Sequence, residues 1–225
     1  MNRYLGPVVA ELVGTFVFFF IGAGAIVTST YAPSAGLGLI GIALAHGLAL
    51  SIMITTFGAT SGGHFNPAVT LAFLSTRRIK PDLAALYIVA QLVGGTLAGL
   101  ALRLVFPERV WQAAHLGTPN LAPGVSFGTG VLLEAILTFF LLLAIFGTAV
   151  DSRAPKLGGF PIGLTVAMDI LVGGPLTGAS MNPARTFGPA LAGGGFENDL
   201  VYWIGPIIGA VIAANLYEYV ILRSE

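Results

Sequence analysis

Apolar residues fall in long blocks separated by short polar or glycine-rich stretches, and block length sets the architecture. A helix rises about 1.5 Å per residue, so crossing the hydrocarbon core of a bilayer takes about 20 apolar residues. Blocks at about 7–28, 37–57, 83–105, 127–149, 158–174 and 199–221 predict six spanning helices, the fifth the shortest. Two further apolar segments, about 66–76 and 182–193, are too short to span and read as re-entrant half-helices. Each follows a small, polar stretch: Ser61-Gly62-Gly63-His64-Phe65 before the first, Thr177-Gly178-Ala179-Ser180-Met181 before the second. Non-helical backbone at membrane depth survives only where protein buries it or where it lines a wet cavity, so both stretches are candidate cavity walls. The fold class is an all-α membrane protein with six transmembrane helices and two re-entrant half-helices.

The two halves repeat. Glu11-Leu12-Val13-Gly14-Thr15-Phe16 matches Glu134-Ala135-Ile136-Leu137-Thr138-Phe139, and Ile40-Gly41-Ile42-Ala43-Leu44-Ala45 matches Ile162-Gly163-Leu164-Thr165-Val166-Ala167. Three spans per half is an odd number, so the second copy sits inverted and its functional site is expected near the midplane, between the repeats. The chain reads as a single channel domain over 1–225, with inverted repeats about 1–105 and 127–225. An outer loop, 106–126, containing Pro107, Pro119 and Pro123, joins them.

Composition agrees with a bilayer as solvent. The chain is 56% hydrophobic and 9% charged, with a mean hydropathy of +0.90, whereas about a quarter of a soluble domain's residues are charged. A formal net charge of +0 argues against a nucleic-acid partner. With no cysteine there is no disulfide, thiolate nucleophile or sulfur metal site, and His46, His64 and His115 lack metal-ligand spacing. No metal or cofactor is expected. Arg3, Arg77, Arg78, Lys80, Arg153, Lys156 and Arg223 fall on one side of a six-span arrangement. Arg103 and Arg109 fall on the other, offset by Glu108, Glu197 and Asp199. Both termini are therefore expected in the cytoplasm. Short tails point to a prokaryotic plasma membrane. Tyr202 and Trp203 are candidate interfacial anchors.

Asn66-Pro67-Ala68 and Asn182-Pro183-Ala184 open the two half-helices. Asn is a strong N-cap, and proline suits the next position because its missing N–H costs nothing there. The cap engages the side-chain carbonyl and leaves the amide NH₂ to point elsewhere. If the half-helices enter from opposite sides, two donors and two positive helix ends converge at the centre. Water offers its oxygen to both donors; a cation meets a barrier.

These segments carry a family resemblance. Ser61-Gly62-Gly63-His64-Phe65-Asn66-Pro67-Ala68-Val69-Thr70 and Asn182-Pro183-Ala184-Arg185-Thr186-Phe187-Gly188-Pro189-Ala190 resemble the two signature loops of the aquaporins, or major intrinsic proteins, and the likeness covers essentially the whole chain. It implies an inverted-repeat, aquaporin-like fold, passive conduction of water with exclusion of protons and ions, and a homotetramer in the lipid bilayer with one pore per subunit. It implies a selectivity filter of His46, Ile170, Ala179 and Arg185, a set similar to that of the tonoplast intrinsic proteins. Strict water channels usually carry phenylalanine and histidine at the first two positions, so a wider opening that also admits ammonia is expected. Arg185 would supply fixed donors and a permanent charge; His46 has the alternative of a hydrogen bond between helices. The resemblance also implies pore-lining carbonyls at Gly62, Gly63, His64 and Phe65 and at Gly178, Ala179, Ser180 and Met181. Glu11 and Glu134, costly at membrane depth, read either as a proton relay or, as the resemblance implies, as acceptors that hold the two loops. Thr186, where glycerol channels of the family carry Asp, and the Tyr202-Trp203 pair favour the water branch. Asp169 departs from the tonoplast-type pattern, with three open readings: a partner of His46, a partner of Arg185, or a protonated helix contact. His115 either reaches the pore mouth or sits solvated in its loop. Rival readings are a broader glycerol or urea facilitator, an ion-coupled secondary transporter and a purely structural junctional protein.

Overall fold

The computed structural model describes residues 3–222, so Arg223, used in the charge argument above, lies outside the described residues. The helices, in chain order, are α1 Leu5–Tyr31, α2 Gly38–Ser61, α3 Pro67–Ser75, α4 Pro81–Val105, α5 Glu108–Ala113, α6 Phe127–Ile145, α7 Phe160–Thr177, α8 Pro183–Pro189 and α9 Val201–Leu216. Among the described residues, six helical segments are long and apolar enough to cross a membrane: α1, α2, α4, α6 with its continuation to Val150, α7, and α9 with its continuation to Ile221. Helices α3 and α8 are the two half-helices. Hydropathy alone ends the second span at about 57, but the helix runs on through Gly58-Ala59-Thr60-Ser61 to a left-handed glycine cap at Gly62, φ 90°. Helix α7 ends the same way at Gly178, φ 83°.

Packing interlocks the halves. The main pairings are α1 with α2 and α4, α6 with α7 and α9, and α2 with α7. Each half-helix packs chiefly against the last span of the opposite half, α3 on α9 and α8 on α4. Large apolar side chains such as Ile40, Leu104, Leu132 and Val172 are left on the outside, more than 60% exposed, where lipid is their natural solvent. Lipid gives helices no hydrophobic reason to associate, so close contact relies on small residues. At the α2–α7 crossing a Cβ on Gly47 would lie 2.5 Å from the Gly163 carbonyl, and one on Gly163 would overlap the Gly47 carbonyl and Ser51. This reciprocal contact corrects the repeat register read from sequence. Gly163 pairs with Gly47 rather than Gly41, consistent with Ser61 and Thr177 closing the two helices. Gly94 and Gly95 also serve contacts inside the chain, against Leu12 of α1 and Ala184 of α8.

The 106–126 connection is more than an outer loop. Helix α5 buries Val110 and Trp111, and Arg103 lies over the Trp111 ring at 4.7 Å while Nη1 donates to the Ala192 carbonyl at 2.7 Å. His115, Leu116 and Gly117 all have positive φ, turning the chain inward so that Leu116 is fully buried. Beyond the fourth span, Arg153 donates to Asp151 from Nε at 2.9 Å and Nη2 at 2.7 Å, and Tyr217 donates at 3.2 Å. The Arg153 guanidinium holds the Asp151 carboxyl well below the usual carboxylate range.

Gly163→Val is expected to cost about 1–3 kcal/mol or more, the range for overpacking a tight contact. Gly128, whose added Cβ meets nothing within 4 Å, should tolerate Ala. Thermal unfolding of the detergent-solubilised variants checks this; equal melting temperatures would refute the α2–α7 contact.

Candidate functional site

The site is built from two unwound loops and the side chains that hold them. Glu11, fully buried on α1, accepts at Oε1 from Ser61 Oγ (2.7 Å) and the His64 N–H (2.9 Å). Its Oε2 accepts from the Phe65 N–H (2.6 Å) and Gln91 Nε2 (2.8 Å). Glu134, fully buried on α6, repeats the pattern: Oε1 accepts from Thr177 Oγ1 (2.7 Å) and the Ser180 N–H (2.9 Å), Oε2 from the Met181 N–H (2.7 Å). Tyr87 and Tyr202 complete the pairing, donating to the carbonyls of Ser61 (2.8 Å) and Thr177 (2.7 Å). Tyr202 is fully buried, so it braces a loop and is not an interfacial anchor. These bonds hold an unfavourable backbone. Phe65, Ala179 and Met181 have φ of 48°, 47° and 54°, a region that costs a non-glycine residue about 1–3 kcal/mol.

The asparagines close the centre. Asn66 Oδ1 caps α3 through the Ala68 N–H (2.8 Å), and Asn182 Oδ1 caps α8 through the N–H groups of Ala184 (3.0 Å) and Arg185 (3.4 Å). Each amide also crosses to the other loop. Asn66 Nδ2 donates to the Met181 carbonyl at 2.8 Å and Asn182 Nδ2 to the Phe65 carbonyl at 2.9 Å. An amide NH₂ has two hydrogens, so one on each asparagine is spent on this cross-link and the second remains. Pro67 and Pro183 take the first helical positions.

One cavity of about 430 Å³ of empty space brings together Asn66, Asn182, His46, Ile170, Ala179 and Arg185. Gly63, His64, Ser180 and Met181 border it as well, whereas Gly62 borders an adjoining vestibule. Phe65, Gly178, Ala68 and Ala184 are not among its bordering residues. The Phe65 ring is fully buried and occupies the space where a Cβ on Gly14 would sit, while Gly178 packs on Pro119. Arg185 donates from Nη1 to the Gly117 carbonyl at 2.6 Å, and Nη2 lies 3.4 Å from His46 Nε2. His46 Nδ1 is 2.9 Å from the Ile42 carbonyl. A carbonyl only accepts, so Nδ1 carries the proton and the Nε2 lone pair faces the guanidinium.

Asp169 makes no hydrogen bond to His46 or Arg185. It is 2% exposed with Oδ2 lacking a partner, which leaves the helix contact among its three readings. His115 borders a separate outer depression with Asn120 and Glu197. Sequence reasoning missed Gly22, whose absent side chain makes room for the His46 ring, and Gly117, which anchors Arg185. It also missed Gln91, which donates to both Glu11 and Thr70. Only the mid-span position of a polar Gln91 could have flagged it.

The family model described as Major intrinsic protein matches residues 2–217. The chain belongs to the major intrinsic protein family. Among curated relatives, Aquaporin TIP4-4 of Zea mays is 46% identical over 94% of this chain and 84% of that protein. Probable aquaporin TIP3-2 of Arabidopsis thaliana is 45% identical over 96% of this chain and 83% of its own length. Among solved structures, an aquaglyceroporin from Plasmodium falciparum superimposes with a TM-score of 0.86 over 97% of both chains at 24% identity, a likeness of fold. Members of this family are channels, and the chain is an integral multi-pass membrane protein of aquaporin-like fold. These plant relatives lend no support to a prokaryotic plasma membrane.

Glu134→Gln replaces an acceptor with an NH₂ group facing backbone donors, stranding at least one buried N–H at a cost of about 1–3 kcal/mol. The variant is expected to melt lower and to lose at least about fivefold of its water flux per folded molecule, measured by stopped-flow on vesicles with quantified protein. Unchanged flux would separate the loop geometry from this carboxylate.

Proposed function

We propose that the chain is a passive channel for water that also passes ammonia, with the Asn66/Asn182 centre as its ion barrier and His46, Ile170, Ala179 and Arg185 as its outer filter. One observation carries this reading: both capped half-helix starts and all four filter candidates border a single narrow cavity. Two helix N-termini place partial positive charge there, and the nearby Arg185 adds a full one. A neutral molecule with a lone pair finds donors on both asparagines, while a cation finds like charge at two levels. Glu11 and Glu134, engaged by three or more donors each, act as loop buttresses rather than proton carriers. The pore-facing acceptors are the carbonyls of Gly62, Gly63, His64, Ala179, Ser180 and Met181. Phe65 and Gly178 do not border the cavity, although the Phe65 carbonyl accepts from Asn182 just as the Met181 carbonyl accepts from Asn66.

The chain works as a single channel domain of two inverted repeats, about 1–105 and 127–225, and assembles as a homotetramer in the bilayer, each subunit with its own pore. The basic residues place the termini on the cytoplasmic face. No catalytic step is part of this reading. A broader glycerol or urea facilitator is disfavoured by His46 and Arg185, which touch each other at 3.4 Å and together crowd one part of the cavity wall. An ion-coupled transporter is disfavoured because both repeat-related acids are committed to loop N–H groups.

Stopped-flow shrinkage of proteoliposomes should give a fast water flux independent of ion gradients, and an ammonium gradient should shift internal pH faster than in empty vesicles. Mercury salts should leave the cysteine-free wild type unaffected. Ala179→Cys, inside the cavity, should become blockable by mercurials and recover with a thiol reductant. A thiol at 179 that leaves flux indifferent to mercury would place the solute path elsewhere.

A further inference from the structure

The central cavity adjoins a vestibule of about 1100 Å³ bordered by Thr148, Lys156 and Gly158, on the side of the basic loops. Six residues border both spaces and so form the neck between them: Ile54, Gly63, His64, Val69, Ile145 and Ile162. Of the apolar neck residues, Val69 and Ile162 are each 2% exposed and Ile145 8%, while Ile54 is half-buried.

The paired hydrogen bonds of the two loops give each neck residue a counterpart in the opposite half. Counting along α2 and α7 from Ser61 and Thr177, Ile54 pairs with Ile170 and Ile162 with His46. Counting along the loops, Gly63 pairs with Ala179, His64 with Ser180 and Val69 with Arg185. From Glu11 and Glu134, Ile145 pairs with Gly22. The neck is thus the repeat-related image of the His46–Arg185 constriction with the polar groups taken out. Valine stands for arginine and isoleucine for histidine, and Ile145 fills the place where Gly22 leaves room.

The chemical consequence differs between solutes. At the outer constriction a solute meets guanidinium N–H groups, an imidazole and loop carbonyls. At the neck its polar partners are confined to His64 and the Gly63 backbone, and His64 Nδ1 is already paired with Thr70 Oγ1 at 3.1 Å. The remaining wall is four β-branched apolar side chains. A water or ammonia molecule in single file keeps partners ahead and behind. A polyol or urea must give up hydrogen bonds on its apolar-facing side, with nothing to replace them. Resting on the pore reading above, we propose that the collar of Ile54, Val69, Ile145 and Ile162 is a second specificity determinant, in series with the outer constriction, that rejects small polyols and amides by polarity.

Four proteins in liposomes test this: wild type, a collar variant (Ile145→Thr with Ile162→Thr), an outer variant (His46→Ala with Arg185→Ala), and the combination. Water flux in the same vesicles reports whether each forms an open pore, and absence of flux in the wild type would sink the pore reading itself. Barriers in series predict that the combined variant passes glycerol and urea at least tenfold faster than either parent. Equal rates in the outer and combined variants would overturn the proposal. Ile162→Val and Ile162→Thr in the outer-variant background separate polarity from width, since valine and threonine share a shape. Faster glycerol entry with Thr than with Val supports the collar, and equal entry refutes it, even if the double Thr variant fails to fold.

Discussion

Unwound backbone at membrane depth must have its N–H and C=O groups satisfied from within the protein, and two carboxylates accept four of the loop N–H groups. His64, Phe65, Ser180 and Met181 all give their N–H groups to Glu11 or Glu134. With the N–H groups turned outward to the scaffold, the loop carbonyls are left for each other's asparagine and for the cavity. An isolated carboxylate in this setting would be expensive, and an isolated loop equally so. Together each removes the other's cost, and the positive-φ residues Phe65, Ala179 and Met181 are held in place by the same bonds.

The asparagines then convert two loops into one object. Each uses its carbonyl oxygen for its own half-helix and its nitrogen for the opposite loop. Helices α3 and α8 also pack mainly on spans of the other half. Neither repeat is therefore a self-sufficient unit, and the centre forms only when both halves are in place.

What could be read from sequence was the part governed by local chemistry. Span lengths, the Asn-Pro helix starts, the glycine-rich unwound stretches and the repeat of Glu11 at Glu134 all follow from short patterns with strong physical preferences. What escaped depends on distant contacts. Gly117 looks like an ordinary loop glycine until a run of three positive-φ residues turns it toward Arg185. Tyr202 next to Trp203 reads as a membrane-interface pair, yet its hydroxyl reaches Thr177 in the interior. The α2–α7 register slipped because continuous apolar runs align with themselves at many offsets. Only the Gly47–Gly163 contact and the polar ends at Ser61 and Thr177 fix it.

The division between scaffold and lining has a further consequence. The side chains that hold the loops are nearly the same in both halves: Glu11 and Glu134, Ser61 and Thr177, Tyr87 and Tyr202, Thr70 and Thr186. The side chains that face the cavity from the spans are not, with His46 set against Ile162 and Gly22 against Ile145. Scaffold positions satisfy buried polar groups whose loss is costly, so they admit few alternatives. Lining positions border the cavity and a neighbouring side chain, and a change there alters width and polarity without unsatisfying the loops. Arg185 is the exception, because its hold on Gly117 ties the lining to the folded outer connection. The shape and polarity of the cavity are thus free to vary at the spans, while at Arg185 they are coupled to the loop that carries Gly117.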